Sequence, residues 1–503
     1  MDMTGEKGAV MLVAFYNTKA LGVRYLETAL ERQGYTVITV FYKDFNSLHP
    51  SRTTEAEIAL LCGEITRAKP MLIGLSVMSS MYLETVDAVI GAITAQFSIP
   101  TVCGGAFASM FPERFLERGI DFVIRADGEH AICRLADALS RGDDYSGIPS
   151  LCYRSHNMNV INDVGDVSEN IDDYGMPAIV SKNACFIEHD RRAEGDPQLH
   201  ALSYELIASR GCPFTCSYCC CVNLKRLLPR CIPGVRTRSV NSVIEELAEV
   251  KSKLNRVTLI HFYDEVFPNS PGWVEQFVIA YKKRVNLPFV IWAHPKTVDA
   301  DTLKKLVSAG LTEVVMGVQS GAMQIRKDIF HRYETQEDII GAVQKIRDAG
   351  VASAIYDFML QHPFETIETL KETYALIEKF SAPFELQLHG LNFLPGTDIV
   401  PLTIERGILS TEEMDTIMYA PMQEQFSAYW RGDNGPEGRL WYKLIYCLQF
   451  AGLRSRLTAY AGDPVKYESQ INSTYTLATR LFRLRHLYKK GRTVVKSKIA
   501  LLT

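Results

Sequence analysis

Short apolar runs alternate with helical patterns over most of the first 400 residues, and this alternation constrains the fold more than any other feature. Strand candidates in the first 150 residues lie at 10–15, 36–41, 71–77, 101–103 and 122–124. Apolar residues at helical spacing lie between them. Strands that alternate with helices form parallel sheets covered on both faces. The pattern therefore predicts a doubly wound, Rossmann-like α/β domain whose ligand lies beyond the carboxyl ends of the strands.

The same alternation resumes at Tyr204 and continues to about residue 400. It contains six strand candidates, at 205–209, 257–262, 289–293, 313–318, 354–360 and 384–391. Six successive strand–helix units predict a partial (β/α)6 barrel, because a closed eight-unit barrel needs more residues than remain. The last hundred residues show helical patterns and few strand patterns.

The chain of 503 residues is too long for one ordinary hydrophobic core. Residues 151–200 are polar and rich in acids, which is typical of an irregular segment between domains. We therefore predict a doubly wound domain over 1–150, a linker over 151–200, a barrel over 201–402 and a helical C-terminal domain over 403–503.

The charge balance argues against a general nucleic-acid binder, because 54 basic residues face 58 acidic ones. No apolar run approaches the roughly 20 residues that span a bilayer, and the N-terminus lacks a signal-peptide pattern. A cytoplasmic protein is predicted, whose twelve cysteines are thiols or metal ligands rather than disulfides. The stretch over 480–498 carries eight Lys or Arg and no acid. This pattern is typical either of a solvated basic tail or of contact with a membrane surface or an anionic partner.

The strongest chemical signal is the CxxxCxxC motif formed by Cys212, Cys216 and Cys219, in the loop after the first barrel strand. Thiolates bind soft metals and iron–sulfur clusters. Three thiolates hold three irons of a [4Fe–4S] cube and leave the fourth iron open to an external chelate. An open iron is typical of a catalytic cluster.

A structural zinc site is the alternative for this motif. Zinc takes four ligands, commonly from two CxxC-like pairs. The fourth ligand could come from one of three nearby cysteines, Cys220, Cys221 and Cys231. The spacing and the position after a barrel strand favour the cluster, and the three extra cysteines have no assigned role.

The motif at this position resembles the radical S-adenosylmethionine (SAM) superfamily. The resemblance implies that the open iron binds the amino and carboxylate groups of SAM. It also implies that the reduced cluster cleaves SAM to a 5′-deoxyadenosyl radical, with the cofactors carrying the chemistry. An electron donor such as flavodoxin or ferredoxin is implied as a partner.

Further motifs follow in the order of that family. Asp264 and Glu265 end the second barrel strand, where family members hold the SAM amino group. The Gly-Val-Gln-Ser-Gly sequence at 317–321 resembles a Gly-Val-Glu-Ser-Gly motif, which implies that Gln319 and Ser320 approach the SAM ribose. Gln319 replaces the usual Glu and brings no charge. Each of these pieces, taken singly, is equally typical of a helix-start acid pair or of turn glycines.

Residues 10–150 resemble the cobalamin-binding domain of class B radical SAM proteins. The matching motifs include Ile-Gly-Leu-Ser at 73–76, Cys-Gly-Gly-Ala-Phe at 103–107 and Asp-Gly-Glu at 127–129. The resemblance implies that Ser76, Gly104 and Gly105 line the pocket for the nucleotide tail of cobalamin. The Asp-x-His-x-x-Gly motif that supplies an axial histidine is absent. The alternative is a doubly wound domain kept for packing or substrate contact.

The predicted function is reductive cleavage of SAM at a [4Fe–4S] cluster by a cobalamin-dependent C-methyltransferase. Its substrate would be an unactivated carbon of a small molecule, lipid or natural product. One alternative is a cobalamin-independent or non-methylating radical SAM enzyme, which forms rings or transfers an aminocarboxypropyl group to a thiophilic atom. A non-catalytic zinc scaffold is the other. No general base is assigned, and the polar candidates for substrate contact are Tyr356, Asp357, His362 and His389, each of which could equally be a core polar group.

Overall fold

The computed structural model describes residues 7–47, 49–428 and 434–500, without the side chains of 426–428 and 488–500. Within these residues the first sheet has nine strands, in the order β7-β6-β5-β4-β3-β1-β2-β8-β9. The strands are β1 Lys7–Phe15, β2 Tyr35–Tyr42, β3 Leu72–Ser76, β4 Thr101–Gly104, β5 Phe122–Ile124, β6 Leu151–Ser155, β7 Met158–Ile161, β8 Ala184–Glu188 and β9 Arg191–Glu194.

Helices cover both faces of this sheet. They are α1 Leu21–Arg32, α2 Glu55–Ala68, α3 Leu83–Gln96, α4 Ala106–Met110, α5 Pro112–Leu116 and α6 Glu129–Arg141. One apolar core joins the sheet to α1 and α6, and a second joins it to α2 and α3. The six central strands, which lie in the spatial order β5-β4-β3-β1-β2-β8, are parallel to one another. The predicted doubly wound architecture is confirmed.

Residues 151–200 differ from the predicted irregular linker. They contribute β6 and β7 to one edge of the first sheet and β8 and β9 to the other, and each edge ends in an antiparallel pair. Edge strands are short and carry polar or charged side chains, as in the Arg-Arg-Ala-Glu sequence of β9. Strand β9 lacks the apolar run by which buried strands are detected, whereas β8, with the sequence Ala-Cys-Phe-Ile-Glu, is a short apolar run inside an otherwise polar segment. The first sheet therefore extends past residue 150.

The second sheet contains six parallel strands in sequential order within the described residues. They are β10 Ser203–Leu206, β13 Leu259–Phe262, β14 Phe289–Ala293, β15 Leu311–Gln319, β16 Ser353–Gln361 and β17 Glu385–Gly390. A small antiparallel pair, β11 Ser209–Arg210 and β12 Arg236–Thr237, lies beside it. The surrounding helices are α7 Cys220–Leu227, α8 Val240–Lys253, α9 Pro271–Arg284, α10 Ala300–Ala309, α11 Gln336–Asp348 and α12 Ile367–Glu378. The predicted partial barrel is confirmed.

Alternating side chains of the barrel strands have different environments. One set, which includes Tyr204, Ile260 and Phe262, is buried against the helices. The other set faces the inside of the open barrel, where Val290, Val315 and Ile355 form a small apolar cluster. Because side chains of a strand alternate between its two faces, polar residues in register with this second set also point inward.

The C-terminal part is helical, as predicted. Its helices are α13 Ile399–Glu405, α14 Thr411–Tyr419, α15 Met422–Ala428, α16 Gly435–Cys447, α17 Arg454–Ala461 and α18 Glu468–Ala500. Short 3₁₀ or π segments lie at Ser80–Tyr82, Ile171–Tyr174, Pro197–His200, Pro295–Thr297, Ile325–Ile329 and Ala451–Leu453. Trp441 of α16 packs on Tyr374 of α12 with ring centroids 5.6 Å apart, which attaches this part to the barrel.

Candidate active site

The three cysteines of the CxxxCxxC motif lie in the loop between β11 and α7, and all three are partly exposed free thiols. Burial, and after it the charges of the nearby Cys216 and Cys219, raise the pKa of Cys212 to about 11. Burial also raises the pKa of Cys216, with Cys219 adding to it. Neighbouring thiolates with these raised pKa values need a bound cation to stabilise them.

The donor set fits an iron–sulfur cluster in its chemistry. Within the described residues, no three His, Cys, Asp or Glu side chains surround one point where a single metal ion would bind. A four-iron cube takes its thiolates at separate corners. Cys212, Cys216 and Cys219 are therefore the residues that would hold the cluster, which remains a prediction of the motif.

Two close backbone approaches shape the cluster loop. Gly211 has φ +97°, and a Cβ at this position would lie 2.0 Å from the carbonyl oxygen of Gly234. Only glycine is compatible with both conditions. Further along the loop, the backbone of Ser217 donates to the Phe330 carbonyl at 3.1 Å and accepts from the Ile399 amide at 2.9 Å. The loop is therefore held against the barrel on both sides.

A buried arginine that the sequence analysis did not identify lies beside this loop. Arg332 donates to the Gly317 carbonyl at 2.6 Å and to Glu334 at 2.6 Å. Its Nη1 lies 4.0 Å from the Sγ of Cys216. It follows the short π segment rather than a strand, so no periodic pattern marks it. Arg332 thus connects the cluster loop to the turn that ends β15 and brings a positive charge next to a cluster thiol.

The predicted acid pair at the end of β13 separates into two roles. Asp264 is 1% exposed, and its carboxylate accepts from the amide of Ala208 at 3.0 Å and from the hydroxyl of Ser209. Burial raises the pKa of Asp264 to about 7. Asp264 therefore ties β13 to the segment that leads into the cluster loop.

Glu265, in contrast, faces the cavity between the two domains and accepts from the thiol of Cys221 at 3.4 Å. Burial raises the pKa of Glu265. Of the two acids, Glu265 is the one whose side chain lines this cavity, next to Cys221. Its contact with SAM stays a prediction.

The Gly-Val-Gln-Ser-Gly sequence spans the last residues of β15 and the turn after it. Gln319 has φ +73°, and its Nε2 would lie 2.6 Å from a Cβ placed on Gly317. Ser320 is fully buried, and its hydroxyl accepts from the Ala322 amide at 3.2 Å. A Cβ on Gly321 would lie 2.2 Å from the Cα of Thr373. The turn therefore packs tightly on α12 and leaves Gln319, not Ser320, partly open; the ribose contacts of both stay predictions.

One cavity lies between the doubly wound domain and the barrel. Ser76, Gly104 and Gly105, at the carboxyl ends of β3 and β4, line it together with Gly211 and Cys221 of the barrel. The remaining lining is mostly apolar and includes further glycines at 22, 74, 128 and 234. Glycines let a backbone approach a bulky ligand closely, so the lining fits a large cofactor such as a corrinoid. The structure thus brings the three residues predicted for the cobalamin pocket together with the cluster loop.

The two glycines of the pair have different constraints. Gly105 has φ +100°, and a Cβ there would lie 2.6 Å from the Val77 carbonyl oxygen. A Cβ on Gly104 would meet only the Ile124 carbonyl, at 3.8 Å. Gly105 is therefore required by the backbone, whereas a side chain at Gly104 has space only on the cavity side.

A partly buried arginine connects the two domains at this cavity. Arg210, directly before the cluster loop, pairs with Asp127 at 3.1 Å and Glu129 at 2.5 Å. Its guanidinium lies 4.8 Å from the ring centroids of both Tyr25 and Tyr174. Burial by itself raises the pKa of Asp127, but Arg210 and then Arg236 lower it below its usual range. The Asp-Gly-Glu motif of the first domain thus holds the start of the cluster loop.

Polar and aromatic side chains line the inside of the barrel. Glu205 of β10 is in register with His261 of β13, and Trp292 of β14 stacks at 4.5 Å on Tyr263. Burial lowers the pKa of His261 to about 4, with Lys19 of the first domain contributing. Lys19 is close enough to Glu205 to oppose the rise that burial causes in the pKa of that acid. The first domain therefore faces the open barrel.

Two of the four predicted substrate contacts have this inward orientation. Asp357 has an Oδ1 that is buried without a hydrogen-bond partner and lies 3.9 Å from the Nε2 of His389. Tyr356 instead packs on Phe380 and Phe384 on the helix side of the sheet. Of the two alternatives for Tyr356, the structure favours the core position, because strand alternation turns its side chain away from the interior.

His362 also lies in the core and does not face the inside of the barrel. It is buried, with its Nε2 3.0 Å from the Oε2 of Glu365 and its ring 5.2 Å from that of Phe330. It is a core polar group, because neither it nor Glu365 has any exposed side-chain surface.

Asp357→Asn is expected to flatten the pH dependence of stability. Burial raises the pKa of Asp357 to about 7, so the folded state binds a proton that the unfolded state releases above about pH 4. The contribution of this group to the free energy of unfolding is fully present below pH 4 and is lost as the pH rises through 7. The variant should match the wild type near pH 4 and exceed it at pH 8 by about 1–3 kcal/mol. Urea unfolding at both pH values measures this difference.

Asp301→Asn is the control, since the Asp301 side chain is 88% exposed. It should leave the wild-type profile unchanged at both pH values. Equal pH profiles for Asp357→Asn and the wild type would contradict the assigned burial of this carboxyl.

Comparison with known proteins identifies both domains. Residues 206–377 match the radical SAM superfamily, and residues 8–136 match the B12 binding domain. Two curated proteins are 24% identical to the chain. One is the "Uncharacterized methyltransferase PH0819" of Pyrococcus horikoshii, over 69% of this chain and 72% of that protein. The other is the "Anaerobic magnesium-protoporphyrin IX monomethyl ester cyclase" of Rubrivivax gelatinosus, over 70% of this chain and 61% of that protein.

Two solved structures share the architecture. The cobalamin-dependent SAM radical enzyme OxsB with aqua-cobalamin bound has a TM-score of 0.65 and 16% identity, over 99% of this chain and 84% of that one. The radical SAM methyltransferase TsrM from Kitasatospora setae, with tryptophan substrate and a SAM analogue bound, has a TM-score of 0.61 and 20% identity, over 79% of this chain and 76% of that one. At these identities the likeness concerns the fold.

The fold, the cysteine loop and the two domain matches define a radical SAM enzyme. The chain combines a domain of the radical SAM superfamily with a B12-binding domain. A [4Fe–4S] cluster, SAM and cobalamin are the cofactors of this class, and its chemistry requires an electron donor. No helix within the described residues is long and apolar enough to cross a membrane.

Proposed function

We propose that the protein is a cobalamin-dependent C-methyltransferase that acts on an unactivated carbon of a small molecule, lipid or natural product. One observation carries the proposal: a single cavity is lined by Ser76, Gly104 and Gly105 of the B12-binding domain and by Gly211 and Cys221 beside the cluster motif. The relatives named as methyltransferases support it. When bound, the cluster and SAM supply a radical for hydrogen abstraction, and cobalamin supplies a methyl carrier.

The chain's own residues bind, orient and shield in this proposal. Cys212, Cys216 and Cys219 hold the cluster, and Glu265 and Gln319 are directed to SAM. The apolar floor of the barrel, at Val290, Val315 and Ile355, keeps water away from the reacting centre. The surface that meets the substrate lies above this floor and consists of Glu205, His261, Trp292, Asp357 and His389.

The partners and the compartment are further parts of the proposal. Flavodoxin or ferredoxin is the electron donor, and no nucleic acid takes part. All twelve cysteines are free thiols, which supports a reducing, cytoplasmic location.

Product analysis tests this function directly. Protein reconstituted anaerobically with iron, sulfide and cobalamin should form 5′-deoxyadenosine and S-adenosylhomocysteine when it receives SAM, a reductant and a substrate. Methylthioadenosine as the product of SAM would favour aminocarboxypropyl transfer. A colourless protein that holds one zinc ion would favour the scaffold hypothesis and contradict the proposal.

Gly104→Leu is expected to prevent corrinoid binding while leaving the fold intact. A side chain at this position has space only on the cavity side. The affinity for hydroxocobalamin, measured by the visible spectrum after gel filtration, should fall at least about tenfold, which corresponds to about 1.4 kcal/mol.

Gly91→Leu serves as the control, because Gly91 is exposed on α3 and a Cβ there meets nothing within 4 Å. It should bind corrinoid like the wild type. If Gly104→Leu also binds normally, the cavity is not the corrinoid site, although the radical SAM assignment would stand.

A further inference from the structure

The long C-terminal helix α18 presents two separate apolar faces. On one face Ile471 is 1% exposed and Ala478 is fully buried. On the same side, Tyr475 and Phe482 pack on Tyr446 of α16 with ring centroids 5.2 and 6.0 Å apart. A surface helix usually needs one apolar stripe to dock on its protein, and this face provides it.

The second apolar face is exposed. Leu477, Leu481, Leu484 and Leu487 are 45%, 40%, 63% and 66% exposed. They are spaced by four, three and three residues, which places them along one side of the helix. Around the helix axis, this side is at least about a quarter of a turn away from the docked face. We call these four residues the leucine stripe. Four leucines exposed in a row on one helix require a partner surface, whereas single exposed leucines do not.

Charge indicates the kind of partner. Every acidic residue of the chain lies at or before Glu468, so residues 469–503 contain none. The same segment contains eight basic residues, which are Arg480, Arg483, Arg485, Lys489, Lys490, Arg492, Lys496 and Lys498. Arg480 and Arg483 are exposed beside the leucine stripe. The rest of the chain is acidic overall, so this basic surface has a sign opposite to that of the remaining protein.

We propose that α18 docks on an anionic lipid bilayer through the leucine stripe, with its basic residues at the headgroups. Leucines on one side and Lys or Arg beside them are typical of helices that lie in a membrane interface. Basic residues near an anionic surface add an attraction that salt screens. Pairing with a second copy is disfavoured, because two such helices would bring like charges together. This inference goes beyond the proposed catalytic function and does not depend on it.

Vesicle flotation with the full-length protein tests the proposal. Vesicles of phosphatidylcholine with 30% phosphatidylglycerol should bind the protein at least about tenfold more tightly than vesicles of phosphatidylcholine alone, because the exposed Arg480 and Arg483 lie beside the leucine stripe in a segment without acids. Sodium chloride at about 0.5 M should weaken this binding severalfold. The double variant Leu481→Asp, Leu484→Asp should reduce it at least about tenfold, and Arg480→Gln, Arg483→Gln should weaken it and flatten its salt dependence.

Ile279→Asp is the matched control, since Ile279 on α9 is the most exposed large apolar residue of the described part, at 71%. It should bind vesicles like the wild type. Thermal unfolding establishes that each variant is folded.

Three results would overturn the proposal. The first is equal binding to both vesicle types, or none to either. The second is vesicle binding that the leucine variant leaves unchanged. The third is a dimer in light scattering that Leu481→Asp, Leu484→Asp converts to monomer, which would assign the stripe to self-association. None of these results bears on SAM cleavage.

Discussion

Cys216→Ala is expected to abolish SAM cleavage, with 5′-deoxyadenosine formation falling at least about a thousandfold. Two thiolates cannot hold a four-iron cube in one position, and the open iron that SAM needs is lost with it. Iron content and the broad visible absorbance after anaerobic reconstitution should fall together with activity. The same result is expected for Cys212 and Cys219, because each would serve a separate iron.

Cys231→Ala provides the control from the same stretch of chain. Cys231 is an exposed free thiol outside the motif, so its variant should keep cluster and activity. Full SAM turnover in any single-alanine variant of the motif would contradict the assignment of the cluster ligands. Loss of the cluster and of activity in Cys231→Ala would indicate that further residues outside the motif bind the cluster.

Arg210→Gln is expected to destabilise the junction between the two domains by about 3–5 kcal/mol. The substitution removes the partner of Glu129, which is 4% exposed at its side chain, and one of the two arginine partners of Asp127. A buried carboxylate without a partner costs far more than an exposed one. The packing of the guanidinium on Tyr25 and Tyr174 is lost as well. The urea midpoint of unfolding measures the loss.

Two further variants make this prediction specific. Arg52→Gln breaks an exposed pair with Glu84, in which the arginine is 75% exposed, and should change stability by less than about 1 kcal/mol. Arg210→Gln combined with Glu129→Gln should recover part of the loss, because the unpaired buried charge is removed. Similar losses for Arg210→Gln and Arg52→Gln would show that the pairing at the junction contributes little.

Local patterns were sufficient for the architecture. The six barrel strands and the strands of the doubly wound sheet are apolar runs between amphipathic helices, and such runs are recognisable because burial requires them. Within 151–200, strand β9 was missed because it carries no such run, and β8, Ala184–Glu188, was missed because its short apolar run stands in a polar and acidic segment. The strand Arg191–Glu194, with three charged residues of four, shows why composition predicts a loop there.

Chemistry that depends on neighbours in the chain could be predicted directly: three thiols at CxxxCxxC spacing, two glycines at the end of β4 and a tail without acids. How residues far apart in the chain share one site became clear from the three-dimensional arrangement. It separated Asp264 from Glu265, turned Tyr356 away from Asp357, and placed Arg210 between Asp127 and Glu129. The physical reason is that spacing along a strand or loop defines a local direction, whereas burial and pairing depend on the surfaces that folding brings together.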